Sequence, residues 1–167
     1  MRKFYLLTTF AACILLSGCQ KWPAFPHSTE LTWTDCASTK AVDTKGPSDN
    51  VTTWLTLEYT EDGLAVTLTD AEMNCAISMD GLQESIDREG NVIKYRIIES
   101  FNADCNCLIE RISSTITGLE TGKEYVLQFS YGMRSLKPVT FKYKKGFIKH
   151  IDVEKNIDDS NKIVTAS

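Results

Sequence analysis

The chain has 167 residues, 43% hydrophobic and 24% charged, with 18 Lys+Arg against 22 Asp+Glu and a formal net charge of −4. That length suits one domain with its own core, and the acidic balance excludes a chain-wide basic footprint for nucleic acid. Nine Gly and four Pro exclude collagen-like or low-complexity character, and two His leave little material for a His-rich metal centre.

Arg2 and Lys3 form a short positive start, and residues 4–16 follow without a charge. A bilayer span needs about 20 apolar residues; this shorter run fits the apolar region of a signal peptide. It closes on Leu16-Ser17-Gly18-Cys19, which resembles the bacterial lipobox. There the cysteine thiol is the acyl acceptor, small residues at the two preceding positions admit the peptidase, and the cysteine becomes the new N-terminus. The resemblance implies a signal peptide over residues 1–18, lipidation (palmitate-type acylation) at Cys19, and a membrane-held protein of the cell envelope. One acyl chain holds a protein marginally, whereas two or three, at ~0.8 kcal/mol per buried CH₂, hold it lastingly.

Residues 20–29 contain Pro23, Pro26 and Ser28 without an apolar period, so residues 19–29 read as a tether. The outer membrane is the expected site; Gln20-Lys21-Trp22 lacks the acidic residues that often mark surface export, which leaves the face open. Without Arg2 and Lys3, sixteen basic side chains meet 22 acids, so anionic lipid offers no attraction and the lipid anchor alone must hold the chain.

Cys13 leaves with the signal and Cys19 takes the lipid. Cys36, Cys75, Cys105 and Cys107 remain, an even set in an oxidising compartment, and predict two disulfides. On a strand, Cys105 and Cys107 place their Cα atoms roughly 6.7 Å apart, the upper limit for a bridge. Each should therefore pair with Cys36 or Cys75, in an order the spacing leaves open.

Residues 40–50 form a polar stretch with Gly46-Pro47 and read as a loop. From Val51 onward apolar residues alternate. Leu55, Leu57 and Tyr59 predict one strand, and Leu64, Val66 and Leu68 a second across the Glu61-Asp62-Gly63 turn. Cys75, Ile77 and Met79 predict a short strand ended by Asp80-Gly81, and residues 80–88 are the one stretch that could make a helical turn. Ile93, Tyr95 and Ile97 follow Glu89-Gly90-Asn91, and residues 107–117, 125–131 and 139–143 supply three more strands. Six to eight strands spaced roughly 8 to 15 residues apart predict an all-β fold, a single antiparallel Ig-like β-sandwich over residues 30–153. Residues 154–167 read as a polar, frayed tail.

Within residues 116–127, Leu119, Gly122 and Tyr125 have the spacing of the E–F corner of fibronectin-III and Ig-like sandwiches. That resemblance implies Leu119 against the core, Gly122 at positive φ, and the Tyr125 hydroxyl bonded back to nearby backbone. It bears on fold alone.

The chain also resembles a family of small, mostly uncharacterised cysteine-bearing lipoproteins of the Bacteroidota. The resemblance rests on the lipobox, Cys36, Leu55-Thr56-Leu57-Glu58-Tyr59 before Leu64-Ala65-Val66-Thr67, Asn74-Cys75, Gly90-Asn91-Val92-Ile93, Cys105-Asn106-Cys107 and the corner. Members often continue the last cysteine cluster with Cys-Pro-Tyr-Asp; Leu108-Ile109-Glu110 stands here instead, so no role of that segment is carried over. The family implies a sandwich and an envelope location, and no activity.

Motif chemistry is sparse. Cys75 with Cys105 and Cys107 lacks the paired spacing of structural zinc, and no Cys-x-x-Cys, Gly-x-Ser-x-Gly, His-Glu-x-x-His or phosphate loop occurs. His27 lies in the tether and His150 near the C-terminus, both read as surface residues. Asp158-Asp159-Ser160-Asn161 lacks the spaced ligands and closing Glu of a calcium loop. Trp22, Trp33 and Trp54 could form a sugar-stacking platform, although Trp54 is expected in or beside the core. Lys142, Lys144, Lys145 and Lys149 read as the guard of a soluble edge strand. The expectation is a non-enzymatic binding, adhesion or accessory module with no catalytic, cofactor or metal residues. Its partner would be a protein or glycan, with contacts at residues 40–50, 100–104 and 132–138 or along the strand at 139–143. The alternative is a loop-built hydrolase or carbohydrate-active enzyme, which acids clustered at one end of the sandwich (Glu61, Asp62, Asp70, Glu72) would favour.

Overall fold

A computed structural model describes residues 27–29, 31–36, 51–77, 81–100 and 105–158. Ten strands form in chain order: β1 (Thr32–Trp33), β2 (Trp54–Tyr59), β3 (Leu64–Asn74), β4 (Gln83–Glu89), β5 (Val92–Ile98), β6 (Asn106–Ile116), β7 (Glu124–Tyr131), β8 (Arg134–Ser135), β9 (Val139–Lys142) and β10 (Ile148–Asp152). A 3₁₀ turn, Glu154–Asn156, follows. The first sheet runs β1-β6-β3-β2-β10 and the second β4-β5-β7-β8, with β9 also on β7. The fold is an all-β sandwich.

Every pair in the first sheet is antiparallel. In the second sheet β5 and β7 run parallel, Val92 opposite Val126 through Ile97 opposite Tyr131. This one parallel pair departs from the antiparallel expectation. Its cause is the path: β6 crosses to the first sheet between β5 and β7, so the chain returns to the second sheet in the direction it left.

The core forms where alternation turns one face of each sheet inward. Leu55, Leu57, Leu64 and Val66 meet Ile93, Tyr95, Leu127 and Phe129, all at or near zero exposure. Tyr95 is buried with its hydroxyl partnered: it donates to Glu84 Oε2 at 2.7 Å and accepts from Ser114. Ser28 donates to the other oxygen of Glu84, so a polar chain ties the N-terminal segment to both sheets.

Several expectations change. Residues 83–89, which overlap most of the 80–88 stretch read as a possible helical turn, are strand β4 paired with β5. The strand lacks clean alternation because it is an edge and its inward Glu84 is satisfied by Tyr95 rather than replaced by an apolar residue. Cys75 to Ile77 is a turn, and the strand before it runs on to Asn74. The start of the tail is folded: Lys137 N–H donates to Asn156, Asp158 N–H to Ser135, and Leu136 bridges Ile157. Residues 1–26, 30, 37–50, 78–80, 101–104 and 159–167, which include Cys19, Trp22, the 40–50 loop and most of the 100–104 loop, lie outside the described residues.

Candidate functional site

The strand directions define two ends. At one, the turn at residues 60–63, Gly90-Asn91, the 117–123 corner and residues 143–147 meet. Gly122 N–H donates to Tyr143, Tyr59 N–H to Phe147, and the Tyr143 hydroxyl to Thr60. The N-terminal segment arrives here, since Thr117 donates through both N–H and Oγ1 to the His27 carbonyl at 2.9 Å, and Ser28 bridges Ile116. This is the near end. The corner belongs to it: the Glu120 N–H donates to the Tyr125 hydroxyl at 2.9 Å, Gly122 has φ +88°, and Leu119 packs half-buried on the core.

The far end holds both disulfides. Cys36 joins Cys107 with Cα atoms 5.6 Å apart, and Cys75 joins Cys105 at 5.5 Å. Two bridges form, neither between Cys105 and Cys107, as their spacing on one strand predicts. The order left open is now fixed by β6: Cys107 points inward and is buried, beneath the segment after β1, while Cys105 lies outside, beside the turn after β3.

Next to Cys75–Cys105, Arg134 forms a polar hub. Its guanidinium donates to the Tyr131 hydroxyl and to Glu154 at 2.9 Å each, and Glu72 lies 3.7 Å away. Asn106 donates to Glu72 at 3.2 Å. Glu99 Oε2 accepts the Asn74 N–H at 2.7 Å, on the stretch of β3 that extends past β2. Burial pushes the Glu99 carboxyl above the usual range; the Asn74 N–H and Arg134 oppose this, and Glu72 adds to it. Burial likewise raises the Tyr131 hydroxyl. Among the sequence candidates only Glu72 belongs to this hub. Glu61 and Asp62 sit at the near end, and Asp70 lies between with φ 54°. Glu99, Arg134 and Glu154 carry no motif and are far apart in sequence; tertiary folding alone brings them together.

His150 is exposed on β10, its Nδ1 3.0 Å from Thr56 Oγ1. Trp54, expected in or beside the core, is 40% exposed on the outer side of its sheet: Leu55 and Leu57 occupy the inward positions of β2, so Trp54 must point out. Trp33 is 37% exposed and its ring faces Gly81. Val51, Trp54, Ile98, Trp33 and Met133, which is 87% exposed, all lie toward the far end, against Ile148 at the near end. Lys142, Lys144, Lys145 and Lys149 are exposed along β9, β10 and the turn joining them. Among the described residues no group of three or more His, Cys, Asp or Glu is placed to hold a metal ion. No helix there is long and apolar enough to cross a membrane.

Comparison with family models, with curated proteins and with solved structures finds no match.

Proposed function

We propose that this chain is a non-enzymatic, lipid-anchored protein of the cell envelope, held at the outer membrane through Cys19 and presenting the far end of its sandwich to a partner. The observation that carries the reading is the arrival of the N-terminal segment at the near end, opposite both disulfides, the Arg134 hub and most of the exposed apolar side chains. Seven residues lie between Cys19 and His27, and the eight steps from one to the other, at ~3.5 Å each, reach no farther than ~28 Å. Strand β3 alone has 11 residues and spans ~37 Å at ~3.4 Å per residue. A lipid on Cys19 therefore keeps the near end at the bilayer and turns the far end outward. Two-dimensional confinement then makes weak contacts useful through effective concentration.

The far-end carboxylates support binding over catalysis. Glu72 and Glu154 share the Arg134 guanidinium, and Glu99 holds a backbone N–H, so each already has a structural partner. The likeness to small Bacteroidota lipoproteins agrees with this reading and adds no activity.

Two experiments test it. Metabolic labelling with a fatty-acid analogue should mark the wild-type chain and leave Cys19→Ala as unlabelled precursor; equal labelling of the variant would overturn the anchor. A photo-crosslinking residue at Met133 in the full chain should capture a partner in intact envelopes that the same residue at Lys144 does not. Turnover of glycan, peptide or ester substrates abolished by Glu99→Gln or Glu72→Gln would instead favour the hydrolase.

A further inference from the structure

The outer face of the first sheet carries a central row of hydroxyls with one exposed indole beside it. Leu55, Leu57, Val66, Leu68, Ile112 and Ile151 point into the core, so the alternate positions point away from it. The registers align these outward residues across the five strands. One row runs His150, Thr56, Thr67, Ser113 and Thr32, an imidazole and four hydroxyls. The next, one step along the strands, runs Asp152, Trp54, Thr69 and Arg111. Neighbouring strands are ~4.8 Å apart and outward positions along a strand ~6.7 Å, so Trp54 has Thr56 and Thr69 beside it.

We propose that this face binds a neutral glycan, with Trp54 as the stacking platform. The inference rests on the binding-module reading above and goes beyond it in naming the ligand class and the surface. A pyranose has one face of C–H groups and a rim of hydroxyls. The C–H face covers the exposed indole and removes apolar area from water. The rim meets groups of its own kind: a Thr or Ser hydroxyl has one donor and two acceptors. Although Thr56 is bonded to His150 Nδ1 and Thr32 donates to the Ser113 carbonyl, the acceptor sites of these hydroxyls and the other ring nitrogen of His150 remain for a sugar hydroxyl. Charge selects against the other polymers. The chain is net negative, so a polyanion is repelled. On the face itself, Glu58, Arg111 and Asp152 flank the central row, and Asp152 is ion-paired with Lys155 at 2.6 Å. The central row holds four hydroxyls and one imidazole with no carboxylate, Lys or Arg among them, and its complement is an uncharged polyol. The row is also open-ended, running from edge β10 to edge β1, which suits a chain lying across the strands.

The test is affinity electrophoresis of the full chain in detergent through gels carrying glucan, mannan or xylan, with polygalacturonate as the acidic control. At least one neutral polysaccharide should retard the wild type. Trp54→Ala should weaken that retardation by at least about tenfold, which corresponds to ~1.4 kcal/mol, and Trp54→Phe should restore part of it. Trp33→Ala should leave it unchanged, since Trp33 lies off this face against Gly81. Circular dichroism and disulfide mapping of Trp54→Ala check that the fold is intact. The proposal is overturned by no retardation in any neutral gel, by retardation indifferent to Trp54→Ala, by stronger retardation in polygalacturonate, or by self-association that Trp54→Ala abolishes. Any of these alongside a retained Met133 crosslink would sink the glycan and leave the binding-module reading standing.

Discussion

The Glu99 carboxylate accepts the backbone N–H of Asn74 at 2.7 Å, at the stretch of β3 that no longer has β2 beside it. An unpaired edge N–H in a half-buried position is costly, and the side chain from the end of the second sheet supplies the acceptor that the missing strand would have given. The contact joins the two sheets at the far end, beside Cys75–Cys105.

Its charge has a consequence for pH. Burial raises the folded-state pKa of Glu99, outweighing Asn74 and Arg134. A raised carboxyl binds its proton more tightly when folded than when unfolded. Its stabilising contribution is therefore complete below the unfolded value of about 4.3 and fades as pH climbs through the folded value. Glu99→Gln, which keeps an acceptor for the Asn74 N–H, should melt at the same or higher temperature than wild type at pH 7, with the gap closing by pH 4. Thermal melts at both values check the sign; a variant losing stability at pH 7 but not at pH 4 would contradict it.

The two disulfides close loops of different length, with separations of 71 and 30 residues. In the chain-entropy account, bridge Cys36–Cys107 is worth about 4.4 kcal/mol and Cys75–Cys105 about 3.6 kcal/mol. Paired Cys→Ser variants should both lose several kcal/mol in denaturant, the 36/107 pair the more. Reductant should act in the opposite order. Cys105 is exposed and Cys107 only 3% so, so thiol attack reaches Cys75–Cys105 first. Timed alkylation with peptide mapping reads the order directly.

Asp70 has φ 54° and is the one non-glycine residue with positive φ among the described residues. It marks a change of pleat. On β3 the buried positions are Leu64, Val66 and Leu68 before it, then Ala71, Met73 and the terminal Asn74; on β6 they are Ile112, Ser114 and Ile116, then Cys107 and Ile109. Thr69 faces Arg111 and Ala71 faces Ile109, so Asp70 and Glu110 stand opposite each other unpaired while the register is kept. The buried Thr53 holds the turn by donating to the Asp70 carbonyl at 2.8 Å. Asp tolerates the left-handed region and a β-branched residue does not. Asp70→Val should cost about 1–3 kcal/mol, whereas Asp70→Gly should be close to neutral. Urea titration of the two variants separates this backbone effect from loss of the carboxylate, which both share.

The same parity change limits what the sequence discloses. Strands with one unbroken alternation, such as residues 55–59, 64–68, 93–97 and 125–131, are legible because a half-buried strand must repeat every two residues. Past Asp70 the phase inverts, so β3 reads as ending early and Cys75-Ile77-Met79 as a strand of its own. Strand β4 hides because its inward Glu84 finds a phenol, and β10 because Lys149 and His150 face solvent at a sheet edge. The cysteines are legible as two bridges by spacing and strand geometry, but their order needs the fold to say which sulfur faces inward. The Arg134 hub is not legible, since its members come from six strands or turns and no short motif links them. The side on which Trp54 lies is not legible either, because an aromatic at a strand start gives no parity until its neighbours are assigned.

The corner offers a last test. Tyr125 is buried as a ring and polar only at its tip, where its hydroxyl accepts the Glu120 N–H at 2.9 Å. The ring packs 5.9 Å from Phe141 and carries the Arg88 guanidinium 5.1 Å from its centroid. Tyr125→Phe keeps the ring and these contacts and removes only the acceptor. The loss should be about 0.5–1.5 kcal/mol, the net worth of one hydrogen bond. Tyr125→Ala adds the cavity and should cost at least about 3 kcal/mol, by analogy with Phe→Ala truncation. Because Gly122 N–H and the Tyr143 backbone also close this end, the Phe variant should still fold with both disulfides formed, with faster hydrogen exchange confined to residues 118–124. Exchange mass spectrometry resolves that segment, and protection unchanged at Glu120 would show that the hydroxyl contributes nothing to the corner.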